Sequence, residues 1–162
     1  MLPFVVPHLR VESVLELGVD RLGDLGLDAL LLDVDCTLKR YRAETVSAEV
    51  AAWLDALREA GIGLCLVSNG LGARIGRFAE TVGLPFRAKS GKPLPFGLRA
   101  AIRKMGFDRR RTAMVGDQVF ADVMAGRLAG LTTILVRPIH PEEERWFTRM
   151  KRPFERLVIG KW

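Results

Sequence analysis

Apolar and polar positions along the chain alternate between two kinds of segment. Leu30-Leu31-Leu32, opened by Ala29, is a short apolar run of the kind a strand buried on both faces requires. Four further runs have the same character: Ile62 to Val67, Leu84 to Ala88, Thr112 to Val115 and Thr132 to Val136. Between them the period lengthens. Val50, Trp53, Leu54 and Leu57 recur at helical spacing after Ser47, a good N-cap, and before Gly61, a good stop. Ile75, Phe78, Ala79 and Val82 mark a second helix closed by Gly83, and Leu98, Ile102 and Met105 a third, begun at Pro93 or Pro95 and ended by Gly106. Val119 to Ala129 predicts a fourth, capped by Gly130. Before the first strand the pattern is weaker: Val11 to Leu25, broken by Gly18 and Gly23, predicts short helical turns on the edge of the core. Strands alternating with helices over short connections specify an α/β fold, a doubly wound, mostly parallel sheet with helices on both faces, in one domain covering residues 1–162.

Composition changes this picture little. Two cysteines, Cys36 and Cys65, give no disulfide framework and suit a reducing compartment. The opening Met1-Leu2-Pro3-Phe4-Val5-Val6-Pro7 lacks a basic n-region, and no run approaches the ~18 apolar residues of a membrane span. A cytoplasmic protein is expected. His8 and His140 stand alone in loop-like sequence and read as surface or packing residues.

Charge is more informative. The chain carries net +6, and residues 145–162 hold six basic side chains against one acid, a local excess of +5. In the same stretch Trp146, Met150, Phe154 and Leu157 recur every three or four residues. The expectation is that this apolar stripe packs on the domain, leaving the basic side to meet an anionic partner, with Pro153 kinking or breaking the helix. Arg149, Lys151, Arg152 and Arg156 are the residues expected to reach an anionic membrane surface, making the protein peripheral at the inner membrane face.

Candidate chemistry collects where strands end. In a parallel sheet all strand C-termini share one edge, where open α/β folds bind ligands. The first strand ends on Asp33-Val34-Asp35, the second on Ser68-Asn69, and the fourth on Gly116-Asp117, while Lys92 follows the third. Two carboxylates placed together need a cation or a proton between them. Acids, a hydroxyl and a lysine converging on one edge suit phosphoryl transfer through a covalent aspartyl intermediate: the carboxylate needs no activating base, a second acid serves the leaving oxygen, and a hard divalent cation shields the charge.

These residues resemble the four motifs of the haloacid dehalogenase superfamily of phosphatases. Asp33-Val34-Asp35-Cys36-Thr37 resembles the first motif, Ser68 the second and Lys92 the third. Gly116-Asp117 with Asp122 resembles the fourth. Val67-Ser68-Asn69, Lys92-Pro93, Val115-Gly116-Asp117-Gln118 and Trp146-Phe147-Thr148-Arg149-Met150 are similar to the YqeG-type branch, subfamily IIIA, related to phosphatidylglycerophosphate phosphatases. The resemblance implies that Asp33 is the nucleophile and Asp35 the general acid and base. It implies that Thr37, Ser68, Asn69 and Lys92 hold phosphate, and that Mg²⁺ is held by Asp33, the Asp35 backbone carbonyl, Asp117 and Asp122. Lys89 competes with Lys92 for the lysine role; the following Pro93 favours Lys92. Cys36 stands where the branch usually has Asn, and Gly70 where a second Asn is common.

Residues 39–46, and the single helix and strand between Ser68 and Lys92, leave no room for the cap domain that superfamily members often insert. A capless, Rossmann-like core with an open site suits a bulky substrate. The expected function is Mg²⁺-dependent hydrolysis of a phosphomonoester, with a phospholipid head group such as phosphatidylglycerophosphate as substrate. The alternatives are a phosphoprotein or soluble phosphometabolite as substrate, or a vestigial site on a module that binds RNA or the ribosome. A receiver domain is excluded by order, since Lys92-Pro93 precedes the Gly116-Asp117 acid.

Overall fold

The computed structural model describes residues 3–160. Its centre is a six-stranded, all-parallel sheet of β1 (Leu9–Val11), β2 (Ala29–Leu32), β3 (Gly63–Val67), β4 (Phe86–Arg87), β5 (Thr112–Gly116) and β6 (Thr132–Val136). The order across the sheet is β1-β6-β5-β2-β3-β4, so β2 lies centrally between β3 and β5. Register places Leu31 beside both Cys65 and Met114.

Among the described residues six α-helices surround the sheet: α1 (Val19–Asp24), α2 (Ala48–Glu59), α3 (Gly72–Val82), α4 (Phe96–Met105), α5 (Met124–Ala129) and α6 (Trp146–Ile159). Alternate residues of each central strand enter opposite layers, as the period of two requires. Leu30, Leu32, Leu64, Leu66, Ala113 and Val115 pack with Trp53, Leu54, Leu57, Ile75 and Phe78 of α2 and α3. Leu31, Cys65, Val67 and Met114 pack with Leu98, Ala101, Ile102, Ala125 and Ala129 of α4 and α5. The unbroken apolar runs are those of strands covered on both faces.

Three features differ from the sequence expectation. The N-terminal segment contains a strand as well as helical turns: β1 adds to the sheet edge with Leu9 opposite Ile134 and Val11 opposite Val136. Three residues are too few for a periodic signal, and the neighbouring β6 supplies the pairing. The helix expected over Val119–Ala129 begins as one π-helical turn, Val119–Val123, before α5. The tail helix α6 runs through Pro153 without interruption. Pro153 and Arg149 four residues before it are exposed, so the carbonyl that loses its donor faces water rather than a dry core.

No cap domain occurs among the described residues. The loop between β2 and α2, and α3 alone between β3 and β4, are the connections at which one would stand.

Candidate active site

The site forms where β2, β3 and β5 end. Asp33 is the first residue beyond β2, and its amide still donates to Val115 of β5 (2.9 Å), so the sheet itself fixes the nucleophile candidate. The chain then turns tightly: the Leu38 amide donates to Val34 (3.0 Å), the Cys36 amide to Lys39 (2.8 Å), and Cys36 adopts a left-handed φ of 62°. This loop returns Thr37 beneath the acids. Its hydroxyl lies 3.3 Å from Asp33 Oδ2 and 3.0 Å from Asp117 Oδ1. One hydroxyl carries one proton, so two carboxylate oxygens around it imply a proton or a cation shared between the acids.

Asp117 follows β5 directly. Asp122 reaches the same point from the π-turn, its Oδ2 accepting from the Gln118 amide at 3.0 Å. The approach is close enough that a Cβ on Gly116 would overlap the Asp122 carboxylate, which is why glycine stands there. π-turns frequently accompany functional sites, and here the extra residue aims an acid. Carboxylate oxygens of Asp33, Asp117 and Asp122 lie within 4.8 Å of one another, and all three residues are buried. Three hard oxygen donors at this spacing fit a hard divalent cation. Asp35 stands outside this cluster of carboxylates.

Lys92 answers the acids from the loop after β4. Its Nζ donates to Asp33 Oδ1 (2.7 Å), Asp122 Oδ1 (2.6 Å) and the Val67 carbonyl (2.9 Å), with the side chain 2% exposed. Lys89 is exposed. Asn69 braces the Lys92 loop: its Oδ1 accepts from Ser90 Oγ and the Lys92 amide, both at 2.9 Å, and its Nδ2 donates to the Lys92 carbonyl at 2.8 Å. Ser68 is buried beside them, and its Oγ accepts from the Gly70 amide at 3.0 Å, leaving its proton for a ligand.

Electrostatics follow from burial. Desolvation pushes Asp33 up to about 7 against the pull of Lys92, with Asp122 pushing the same way. Desolvation likewise raises Asp117 to about 7, opposed by Arg152 and aided by Asp33. Burial also raises Asp122, although Lys92 opposes it. Lys92 stays above the ordinary lysine range because the attraction of Asp122 and Asp33 outweighs its desolvation. Asp35 differs: burial works to raise its pKa, but Arg74 and Lys39 outweigh it and hold the carboxyl below the usual range. Arg74 grips Asp35 at both oxygens (2.9 and 2.6 Å), and Lys39 Nζ reaches Oδ1 at 2.9 Å. Burial pushes the Cys36 thiol up, leaving it an unreactive neighbour.

The tail reverses its expected orientation. Trp146, Met150, Phe154 and Leu157 are 71%, 60%, 63% and 82% exposed, so the stripe faces solvent rather than packing on the domain. What α6 turns inward is polar, with Val158 and Ile159 at its end. Glu155 is buried and accepts from the Phe120 amide at 3.1 Å. Arg152, assigned by sequence to an exposed basic face, is instead an internal cation. Its side chain is 13% exposed; it donates to the Asp117 carbonyl at 2.7 Å and pairs with the carboxylates of Asp117, Glu144 and Glu155. A buried acid cluster outbids solvent for the guanidinium, because carboxylates left unpaired in a dry interior are costly.

Sequence reasoning missed Lys39, Arg74, Glu144, Arg152 and Glu155. Nothing local distinguishes Arg152 from the other five basic residues of the tail. Arg74 carried one weak signal, its place in the first turn of the helix after Ser68-Asn69.

Comparison with known proteins shows the family and the fold. The family model for haloacid dehalogenase-like hydrolases matches residues 8–130. The "Probable phosphatase YqeG" of Bacillus subtilis (strain 168) is 28% identical over 157 residues, covering 97% of this chain and 91% of that protein. The "Phosphatidylglycerophosphate phosphatase 1, chloroplastic/mitochondrial" of Arabidopsis thaliana is 23% identical over 98% of this chain, which spans 48% of the plant protein. Among solved structures, a HAD family hydrolase from Deinococcus radiodurans R1, with bound phosphate and sodium, superposes with a TM-score of 0.61 at 20% identity, over 83% of this chain and 90% of that one. With a parallel sheet whose central strand runs directly into Asp33 and a matching family model over most of its length, the chain belongs to the haloacid dehalogenase-like hydrolases.

Proposed function

We propose that the protein is an Mg²⁺-dependent phosphomonoester hydrolase that works through an aspartyl-phosphate, and that its substrate is a phosphorylated lipid head group such as phosphatidylglycerophosphate. The observation that carries the chemistry is Asp33, fixed by the sheet, bonded to Lys92 and clustered with Asp117 and Asp122. Asp33 attacks phosphorus, and the bond to the leaving oxygen breaks as that oxygen takes a proton from Asp35. Water then attacks phosphorus, gives its proton to Asp35, and releases inorganic phosphate and the Asp33 carboxylate. Asp33, Asp117 and Asp122, with the Asp35 carbonyl, would hold Mg²⁺, which when bound shields the carboxylates from the phosphate charge. Lys92 and the Ser68 hydroxyl take up the phosphoryl oxygens, and Thr37 fixes the two acids. Asp35 in its clamp is an anion. Arg74 must turn away before Asp35 can carry the proton to the leaving group.

The lipid reading rests on α6. Arg145, Phe147 and Thr148 line the same cavity as Asp33 and Lys92, so the exposed apolar stripe begins at the mouth of the site. Arg145, Arg149, Lys151 and Arg156 flank it. An amphipathic helix with aromatic residues and surrounding cations lies in a bilayer interface, and there it would bring a head group to the open mouth. Among the described residues no helix is long and apolar enough to cross a membrane.

The test measures phosphate release from phospholipids, sugar phosphates, nucleotides and phosphopeptides with Mg²⁺, alongside an aryl phosphate. Asp33→Asn should lose more than a thousandfold in turnover while unfolding like wild type. Activity within tenfold of wild type, only ~1.4 kcal/mol of barrier, would remove Asp33 as the nucleophile. A preference for a soluble phosphometabolite or phosphopeptide would replace the lipid, and RNA binding without hydrolysis would replace the enzyme.

A further inference from the structure

The active-site cavity, about 190 Å³, has a floor and a mouth of opposite charge. At and beneath the floor the acids Asp33, Asp117, Asp122, Glu144 and Glu155 face the cations Lys92 and Arg152, three acids more than cations. A divalent cation and the phosphoryl group that reacts belong there. At the mouth the balance inverts. Arg74 and Arg145 outnumber the single acid Asp35, which Lys39 also pairs from behind the cavity wall. Cations beyond the reacting centre are placed to meet something other than the phosphoryl group held at the floor.

Both arginines are built as anion receptors. The Arg74 guanidinium lies 5.7 Å from the Tyr41 ring centroid, and that of Arg145 lies 5.2 Å from the Phe147 centroid. Stacking on a ring holds the planar group and leaves its N–H edge to bind. Arg74 spends one N–H of each terminal nitrogen on Asp35 and retains the others. Arg145 is exposed, and all four of these residues line the cavity. They come from separate parts of the chain: the loop after β2, the start of α3 and the N-terminus of α6.

We infer that Arg74 and Arg145 form a second anion subsite at the mouth, so that the preferred substrate bears a second anionic group, a phosphodiester or second phosphate, beyond the phosphoryl group that is cleaved. This rests on the phosphatase reading above and narrows its substrate class. A phosphodiester would arrive in a lipid head group and a second phosphate in a soluble bisphosphate; the chemistry at the arginines is the same.

Two matched pairs of probes distinguish these sources: dihexanoyl phosphatidylglycerophosphate against dihexanoyl phosphatidic acid, and fructose 1,6-bisphosphate against fructose 6-phosphate. With Mg²⁺, the two-anion member of at least one pair should have a kcat/KM at least tenfold higher. Arg145→Met should reduce that ratio to within about threefold, and 0.5 M salt should compress it, because the subsite acts through exposed charge. Arg74→Met should also lower the ratio; whatever freeing Asp35 does to the chemical step is shared by both members of a pair and cancels in the ratio. Preference in the lipid pair alone assigns the anion to a phosphodiester, and preference in the soluble pair alone to a free metabolite. A ratio near one in both pairs, or an Arg145→Met variant that slows both members equally, overturns the subsite. If no probe is hydrolysed, the phosphatase reading fails instead. The subsite is then decided by calorimetric binding of methylenebisphosphonate against methylphosphonate: tighter binding that Arg145→Met abolishes supports it, and equal affinities refute it.

Discussion

Removing the Lys92 ammonium tests the electrostatic design of the site most directly. Lys92→Met keeps the length of the side chain and deletes the charge. The Nζ now makes three hydrogen bonds, two of them to buried carboxylates, in a position 2% exposed. Breaking a buried ion pair by deleting one partner costs about 3–5 kcal/mol, because the remaining charge is stranded in low dielectric. Asp33 and Asp122 escape part of that cost by taking up protons. Their folded pKa values, already raised by burial, rise further without Lys92. A folded state that binds more protons than the unfolded chain loses stability as pH increases. The deficit of the variant should therefore be small near pH 4 and should approach the full 3–5 kcal/mol by pH 8. For a chain of this size each kcal/mol is roughly 2–4 °C, so about 6–20 °C of melting temperature separates the variants at high pH. Urea unfolding of both proteins in chelator, at unit pH steps from 4 to 8, measures it. Adding Mg²⁺ at pH 8 should recover part of the loss, since the cation replaces charge among the same acids. A deficit below ~1 kcal/mol that does not change with pH would refute the account of Lys92 as the counter-charge of Asp33 and Asp122.

Three further outcomes follow from other parts of the molecule. In chelator, wild-type stability should fall as pH rises from about 4 to about 7, because Asp33 and Asp117 hold their proton in the fold and release it when unfolded; Asp117→Asn should flatten that slope, and an unchanged slope would locate the proton elsewhere. Gly97→Ala should destabilise by about 1–2 kcal/mol despite the better helix propensity of alanine, since its Cβ would overlap the Ser90 carbonyl oxygen, and denaturant titration showing a gain would contradict that packing. Trp146→Ser with Leu157→Ser should leave the melting temperature within about 2 °C, both side chains being exposed, yet reduce sedimentation with anionic vesicles; undiminished binding would mean the stripe is not the contact.

Much of this molecule is written locally. Runs such as Ala29–Leu32 and Thr112–Gly116 are buried on both faces and therefore continuous, so their period is legible without any neighbour. Ser47, Gly83, Gly106 and Gly130 mark helix ends by chemistry contained in one residue. Because parallel strands finish on one edge, the positions of Asp33, Ser68 and Asp117 could be placed together from their order alone.

What only the tertiary structure decided are the partnerships between distant side chains. β1 is a strand because β6 offers an edge, not because three residues prefer it. Pro93 already favoured Lys92 over Lys89, but that Lys92 meets Asp33, Asp122 and the Val67 carbonyl while Lys89 stays exposed is a matter of tertiary placement. Asp35 resembles a free acid in sequence, but Arg74, thirty-nine residues away, clamps it. Arg152 looked like one more exposed cation and is the counter-charge of Asp117, while the stripe beside it, expected to be covered, faces water. Periodicity states that a helix has two faces; which face turns inward depends on the charges waiting beneath it. Here buried acids at Asp117 and Glu144 bind a guanidinium more favourably than the sheet edge binds a Trp or a Leu. That balance is set by burial and distance, which the linear sequence does not contain.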